Sequence, residues 1–268
     1  MELLKLFYGA VVGLLLGLTG AGGSIVSVPI LIYLLGYDAH VATGTSLIIV
    51  GTGALAGVVQ YLLTARQRIQ WTVGVLFSLL GFVGVGIGSY VNTLLPSAAL
   101  LYGFGLLMEV VGIYTLRKRS SEEDDSSPFR FRLSGWGEIL RATFAALGVG
   151  FLTGLFGVGG GFLIVPALLF VLNFPMREAL ATSLLVITLN SAEGVIARLL
   201  GLGKIHFEGL LFLTLGTILG IGVGVVVARR LPSKLLGKIF AWFVIAVGVY
   251  MILRTYFLGP GGIGGPGP

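Results

Sequence analysis

From Leu3 to Leu63 the chain runs sixty-one residues with only two charged side chains, Lys5 and Asp38. A bilayer core about 30 Å thick takes roughly 20 apolar residues to cross as a helix, and a stretch this long and this uncharged has no polar face to turn to water. The same character continues beyond it. Apolar segments near 3–19, 24–36, 40–63, 70–90 and 97–116 precede a polar stretch, and segments near 138–156, 161–173, 177–199, 206–228 and 234–257 follow it. Only 10% of the chain is charged, against about 25% in soluble proteins. The 44 glycines are scattered through the apolar runs with no collagen-like period, a habit of packed transmembrane helices. The expected fold class is an all-α polytopic membrane protein.

The sequence RKRSSEEDDSSPFRFR from Arg117 to Arg132 is too polar for lipid and has the composition of a mobile loop. The tail from Gly259 to Pro268 has no periodicity and is expected to be disordered. The expected division is therefore a first unit at 1–116, a charged linker at 117–137, a second unit at 138–257 and a Gly/Pro tail at 258–268. With no cysteine, disulfides, iron–sulfur clusters, thiolate zinc sites and a cysteine nucleophile are excluded. No metal or cofactor is expected. The formal charge of +6 sits mostly at segment ends, where the positive-inside rule accounts for it without a nucleic-acid partner.

The two units are copies of each other. Gly17–Leu31 (GLTGAGGSIVSVPIL) aligns with Gly154–Leu168 (GLFGVGGGFLIVPAL), 137 residues later, with eight of fifteen positions identical. At the same offset Thr45-Ser46-Leu47 meets Thr182-Ser183-Leu184. With one residue dropped, Gln70-Trp71 meets His206-Phe207, Gly84, Gly86 and Gly88 meet Gly220, Gly222 and Gly224, and Leu95-Pro96-Ser97 meets Leu231-Pro232-Ser233. The returning pattern also argues against reading the first segment as a cleaved signal peptide.

Charge gives the expected orientation. The loop with Arg66 and Arg68, the linker opening at Arg117, the loop from Arg229 to Lys238 and the approach at Arg177 are basic, whereas Asn92–Ser97 carries no charge. These basic loops share the cytoplasmic side only if the copies are inserted in opposite senses, with both termini extracytoplasmic and the linker cytoplasmic. Arg198 and Lys204 run against the rule. Inverted-topology repeats of this kind are typical of secondary transporters.

The second segment of each copy is short. From Ser24 to Gly36 a helix reaches only about 18 Å, so the glycine-rich turn before it is expected inside the membrane, making the first two segments a re-entrant or broken pair. Gly22, Gly23 and Ser24, and their counterparts Gly159, Gly160 and Gly161, would begin the two short helices. Free N–H groups and the positive dipole end there favour an anion. The competing reading makes these glycines packing notches, which is the reading adopted for Gly84, Gly86 and Gly88. Thr45, Ser46, Thr182 and Ser183 come within reach of the tips as hydroxyl donors to an oxyanion, unless they bond their own preceding carbonyls. Asn190, opposite Gly53 in the repeat, is read as a ligand contact rather than an interhelical bond. Glu109 and Glu193 are intramembrane acids and candidates to carry a coupling proton; a structural pair with Arg198 is the alternative for Glu193. His40 and His206 fall at segment boundaries, and Tyr61 and Trp71 look like interfacial belt residues.

The doubled Gly-Leu-x-Gly-x-Gly-Gly, the Val-Pro after each and the paired Thr-Ser-Leu resemble the TauE/SafE sulfite-exporter family over nearly the whole chain except linker and tail. The matching positions are Gly17, Gly20, Gly22, Gly23 and Pro29, then Gly154, Gly157, Gly159, Gly160 and Pro166. Gly161 stands where the first copy has Ser24, so one tip lacks a hydroxyl. The resemblance implies a carrier in a bacterial or archaeal cytoplasmic (inner) membrane for small sulfur-containing anions: sulfite, sulfoacetate or related sulfonates. An anion channel, or a carrier for an unrelated small anion, is the alternative. An intramembrane protease is disfavoured. Neither histidine is placed to serve a serine nucleophile, and outside the linker Asp38 is the only Asp.

Overall fold

A computed structural model describes residues 2–37, 39–64, 69–117, 135–156, 161–197 and 209–258. They are helical almost throughout, with no strand among them: α1 (Glu2–Thr19), α2 (Gly22–Pro29), α3 (Ala39–Leu63), α4 (Trp71–Leu94), α5 (Ser97–Arg117), α6 (Trp136–Phe156), α7 (Gly161–Phe170), α8 (Met176–Ala197), α9 (Leu210–Arg230) and α10 (Ser233–Leu258). The tip glycines at 157–160, most of the linker, Asp38, Arg66, Arg68, Arg198, Lys204, His206 and the tail from 259 lie outside the described residues. Seven helices (α1, α3, α4, α6, α8, α9 and α10) are long and apolar enough to cross a membrane. The protein is a multi-pass membrane protein.

The helices sort by what they face. Leu79, Phe82 and Ile87 on α4, Phe144 on α6, Leu219 on α9 and Trp242 on α10 point outward, a perimeter suited to lipid. Over their apolar windows α3 and α8 are 50% and 56% buried, against 28–39% for the other five spans, so these two form the centre. The short α7 is buried from Gly161 to Leu169. A helix of that length is tolerated at membrane depth because protein surrounds it on all sides.

Lipid tails are as apolar as leucine, so helices associate here through close van der Waals packing. Small residues decide which faces meet. On α1, β-carbons at Gly9, Gly13 or Gly17 would run into the α9 backbone; on α9, β-carbons at Gly216, Gly220 or Gly224 would run into α1. On α4 and α6, Gly84 and Gly88 press on the backbone at Leu147 and Phe151, while Gly150 and Gly154 press on Gly81 and Val85. By the internal repeat these are one interface made twice: the first helix of each copy packs on the fourth helix of the other. In both, contacts rise together along the two chains, so the paired helices are parallel.

Where a helix meets its own repeat counterpart the order reverses. Gly57, Gly51 and Gly194 of α3 and α8 lie against Leu184, Ser191 and Leu47 respectively. Gly57 on Leu184 and Gly194 on Leu47 are the same contact with the copies exchanged. Between α5 and α10, Gly105 meets Ile252 and Gly112 meets Ile245. Both pairs therefore run antiparallel.

Two expectations need correction. A β-carbon at Gly86 or at Gly222 would meet nothing within 4 Å, because a residue two positions along a helix points to the far side from its neighbours at 84 and 88. Gly86 is thus no packing notch. Tyr61 is 3% exposed, held inside the bundle rather than at a lipid interface; its neighbours Leu62 and Leu63 take the outward face instead. Trp71, by contrast, is half exposed.

This division of the glycines makes a paired prediction. Gly84→Val and Gly220→Val should each cost stability, on the order of 1–3 kcal/mol or more from overpacking. Gly86→Val and Gly222→Val should stay near the wild type. Thermal unfolding of the four purified variants in one detergent checks this, and equal losses at all four positions would refute the assignment of faces.

Candidate functional site

The first break in the helices is built from its own residues. The Gly20 N–H donates to the Leu16 carbonyl at 2.8 Å, and Gly20 then turns the chain with φ +68°, a left-handed conformation that costs glycine little. The Thr19 hydroxyl donates to the Leu15 carbonyl at 2.7 Å and accepts the Gly22 N–H at 2.7 Å. Residues 19–23 are buried throughout. One amide at the start of α2 is therefore satisfied from inside, which leaves fewer open N–H groups than the glycine motif alone suggests.

Gly22 and Gly23 also allow α2 to fold back tightly. A β-carbon on Gly22 would lie 2.6 Å from Thr19 Oγ1 and 3.1 Å from the Phe243 ring, and one on Gly23 would lie 2.8 Å from Leu16 Cβ. The packing reading of this pair thus has direct geometric content, whatever else the pair does. Ser24 lies in the first turn of α2, its side chain outside the described set. In the second copy Gly161 begins α7, while Gly157, Gly159 and Gly160 lie outside the described residues.

Both short helices leave their turns in the same way. After Pro29, which has no N–H to give, the chain widens into a π-helical turn at Ile30–Leu34. Gly36 then takes φ +69° and the Tyr37 N–H donates to the Leu31 carbonyl at 2.9 Å. In the second copy Asn173 takes φ 52° and the Phe174 N–H donates to the Leu168 carbonyl at 2.9 Å. These are repeat-equivalent left-handed caps that close the helix ends with backbone bonds.

The break in copy one is met by copy two. Ser183, fully buried on α8, places its Oγ 2.9 Å from the Gly20 carbonyl and 2.8 Å from the Leu180 carbonyl. Its single proton is held there, so Ser183 ties the tip in place rather than offering a donor to a ligand. Ser46 likewise donates to the Thr43 carbonyl at 2.9 Å, the repeat-equivalent local bond. Thr45 and Thr182 are wholly buried. The Thr182 hydroxyl accepts the Gln70 N–H at 3.2 Å, and its own proton meets no acceptor among the described residues. The backbone just ahead of α4, the Thr-Ser pair of α8 and the tip at Gly20 therefore converge at one buried place.

Farther along α4 and α8, the Ser78 hydroxyl lies 2.8 Å from Asn190 Oδ1 and 3.2 Å from Glu193 Oε1. This corrects the reading of Asn190 as a ligand contact in preference to an interhelical bond: α4 supplies a partner that the spacing on α8 alone did not reveal. It also gives Glu193 a partner other than Arg198. Glu109 is placed elsewhere. Its Oε1 is buried without a hydrogen-bond partner among the described residues, packed where a β-carbon on Gly248 of α10 would lie 2.8 Å away. Sequence reasoning missed Thr19, Gln70 and Ser78 as participants. It also missed Asn92, whose Nδ2 donates to the Leu155 carbonyl at 2.6 Å beside the second tip. Only the repeat alignment of Gln70 with His206 hinted at one of them. A groove of about 600 Å³ along α4, lined by Trp71, Val75 and Leu79 among others, is apolar and faces outward, so it has no bearing on an anion.

Comparison with known proteins agrees with this architecture. The family model described as sulfite exporter TauE/SafE matches residues 5–251. A "probable membrane transporter protein" of Xylella fastidiosa strain Temecula1 is 34% identical over 261 residues, covering 92% of this chain and 94% of the relative. A protein of the same description from Bacillus subtilis is 29% identical over 270 residues, covering 93% and 96%. One from Methanocaldococcus jannaschii is 27% identical over 269 residues, covering 93% and 95%. No solved structure matches the chain.

The junction at Gly20 predicts an order of damage. Ser183→Ala removes one buried hydrogen bond and should lower stability by about 1 kcal/mol. Gly20→Ala should cost more, because its β-carbon must accept a left-handed φ and would sit 3.1 Å from Leu180 Cα. Side-by-side melting curves in detergent read the order directly, and a harmless Gly20→Ala would contradict it.

Proposed function

The chain belongs to the sulfite exporter TauE/SafE family of membrane transporters, and on that premise we propose that it moves small sulfur-containing anions, such as sulfite or sulfoacetate, across the cytoplasmic membrane by alternating access. The observation that carries the reading is the junction of the Gly20 tip with Thr182, Ser183 and the Gln70 backbone. There one copy's broken helix is bonded to the other copy's central helix. Rocking of one repeat against the other would make or break that junction. The antiparallel meeting of α3 with α8 and of α5 with α10 supports two repeats inserted in opposite senses; the basic loops are what favour termini outside and a cytoplasmic linker.

In this reading the anion is held between the two tips. The positive ends of α2 and α7, with Gly22, Gly23, Ser24, Gly159, Gly160 and Gly161, attract it. The Thr182 hydroxyl, its proton uncommitted among the described residues, is the first donor, and Thr45 is the repeat-equivalent position in the other copy. Ser46 and Ser183 hold the surrounding backbone in place, and Asn190 stands farther along α8. A membrane potential negative inside favours the exit of an anion by about 2.3 kcal/mol per charge per 100 mV, so unassisted movement would run outward.

Purified protein in detergent should be stabilised by a sulfur oxyanion and not by chloride. A ligand bound only by the native state adds about 2.7 kcal/mol at a concentration of 100 Kd. The test is thermal shift across sulfite, sulfate, thiosulfate, sulfoacetate, taurine and chloride. Thr182→Val, nearly the same shape without the hydroxyl, should need roughly tenfold more ligand for the same shift, the worth of about one hydrogen bond. Saturable counterflow in vesicles separates a carrier from a channel. A folded protein that responds to none of these anions would sink the proposal.

A further inference from the structure

The Ser78–Asn190–Glu193 cluster is not part of that anion site, and the duplication does not explain it. Aligning the repeats sets Thr214 opposite Ser78, Gly53 opposite Asn190 and Ala56 opposite Glu193. In the α9–α3 half, then, the corresponding positions carry no amide and no acid, and Thr214 Oγ1 is buried there without a hydrogen-bond partner among the described residues. The α3–α9 half packs without such a cluster, so the framework does not need it; it stands on one side only.

Its chemistry is short of protons. Asn190 Oδ1 and Glu193 Oε1 are both acceptors, and both lie within reach of one hydroxyl, at 2.8 Å and 3.2 Å. One proton on Ser78 serves one of them at a time. Among the described residues no charged side chain bonds to the cluster; Arg198, one residue past α8, lies outside them. Within its span α4 carries no titratable side chain but Tyr90, more than three turns beyond Ser78, and α7 carries none; α6, packed along α4, carries Glu138 and Arg141 in its first two turns, with Arg141 exposed. The α3 helix meets this stretch of α8 with Leu47 and Gly51; its titratable residues, His40 and Tyr61, are near its ends. Arg177 and Glu178 lie about four turns back along α8, while α10 carries Lys234 and Lys238 in its first turns and Tyr250, Arg254 and Tyr256 farther on. An acid held in a membrane span is by default a candidate for a proton or ion path.

We propose that Ser78, Asn190 and Glu193 form a proton-binding site, built into one half of the molecule, that couples movement of the anion to movement of a proton. Water on one side gives a proton to the Glu193 carboxylate, and the new O–H donates to Ser78 Oγ while the Ser78 O–H donates to Asn190 Oδ1. Every acceptor in the chain then has its donor, and such chains strengthen one another. On the other side the proton returns to water. Coupling arises because the cluster lies near the anion. Gln70, just ahead of α4, and Ser78 are eight residues apart, as are Thr182 and Asn190 on α8, which is about 12 Å at helical rise. At that distance an anion and a carboxylate repel enough to change each other's binding roughly tenfold, so an anion at the tips favours the protonated acid, and each ligand promotes the other. Glu109 lacks this setting, being enclosed between α5 and α10.

The inference rests on the anion-carrier reading and changes only its energetics: one proton travelling with the cargo removes one charge from its response to the membrane potential. The test uses the whole protein in vesicles with sulfite as probe, an entrapped pH dye and an imposed pH gradient. Wild type should accumulate sulfite down the proton gradient with a matching dye signal. Glu193→Gln should still exchange sulfite in counterflow, at a reduced rate, but lose accumulation and dye signal. Accumulation that survives in Glu193→Gln overturns the coupling and leaves the carrier standing. Absence of counterflow for every sulfur anion in wild type overturns both. A second readout needs no variant: in weakly buffered detergent, saturating wild type with sulfite should draw about one proton from solution at a pH where Glu193 is ionised, after correction for sulfite's own buffering. No uptake at any pH between 5 and 8 removes the site from the mechanism.

Discussion

Inside a bilayer no water is available to satisfy a backbone amide or carbonyl, so a helix that stops there must have its loose ends met by protein. Much of this molecule follows from that demand at one place, the break between α1 and α2. The Leu16 carbonyl takes the Gly20 N–H, Thr19 takes the Gly22 N–H, and Ser183 from the other copy reaches the Gly20 carbonyl. Each of these groups is buried because α3, α8 and α10 close around it. Neither copy can supply this environment alone, since the hydroxyl that completes the first break comes from the second.

The same dependence governs the long helices. The α1 helix finds its closest partner in α9, and α6 in α4, so each copy lends a helix to the other. Glycine is what makes these contacts close, and its positions four apart on α1, α4 and α9 trace the faces that meet. The interlocking gives a physical route for one copy's movement to be felt at the other's tip, which is what an alternating-access carrier requires. Against this near-symmetric frame the departures carry the information. Ser78, Asn190 and Glu193 gather on one side, and Thr214 stands with Gly53 and Ala56 on the other. Asn92, bonded at the end of α6, has alanine at its counterpart, Ala228.

Much of the fold was legible in the residues. Ten apolar segments, the short second member of each copy and the duplication all follow from periodicity, length and a fixed offset. The first glycine motif marked its break correctly, because only a break needs that much glycine beside a proline in so short a helix; the second tip lies outside the described residues. What these glycines do was less legible. Gly22 and Gly23 suggested open amides, whereas Thr19, three residues earlier and outside the motif's glycines, takes one of them. Gly86 looked like its neighbours at 84 and 88, and only its direction on α4 sets it apart. Asn190 gave no sign of its partner, because Ser78 is 112 residues away and nothing local to either residue announces the other. The same distance in sequence hid Gln70, whose contribution to the junction is a backbone N–H and not its side chain.

By itself, then, the sequence determined the solvent, the segment count, the duplication and the family, for these depend on hydrophobicity, length and repeated order, all of which are additive along the chain. Tertiary structure decided which helices touch, which glycines face a neighbour, which hydroxyls are spent on backbone carbonyls and which acid has a partner. Those properties depend on pairs of residues brought together from opposite copies, and a hydrogen bond or a close contact exists only when both members are in place. The one-sided polar cluster on α4 and α8 is the clearest case: Asn190 and Glu193 stand out in sequence and Ser78 does not, and only their meeting gives one proton two acceptors.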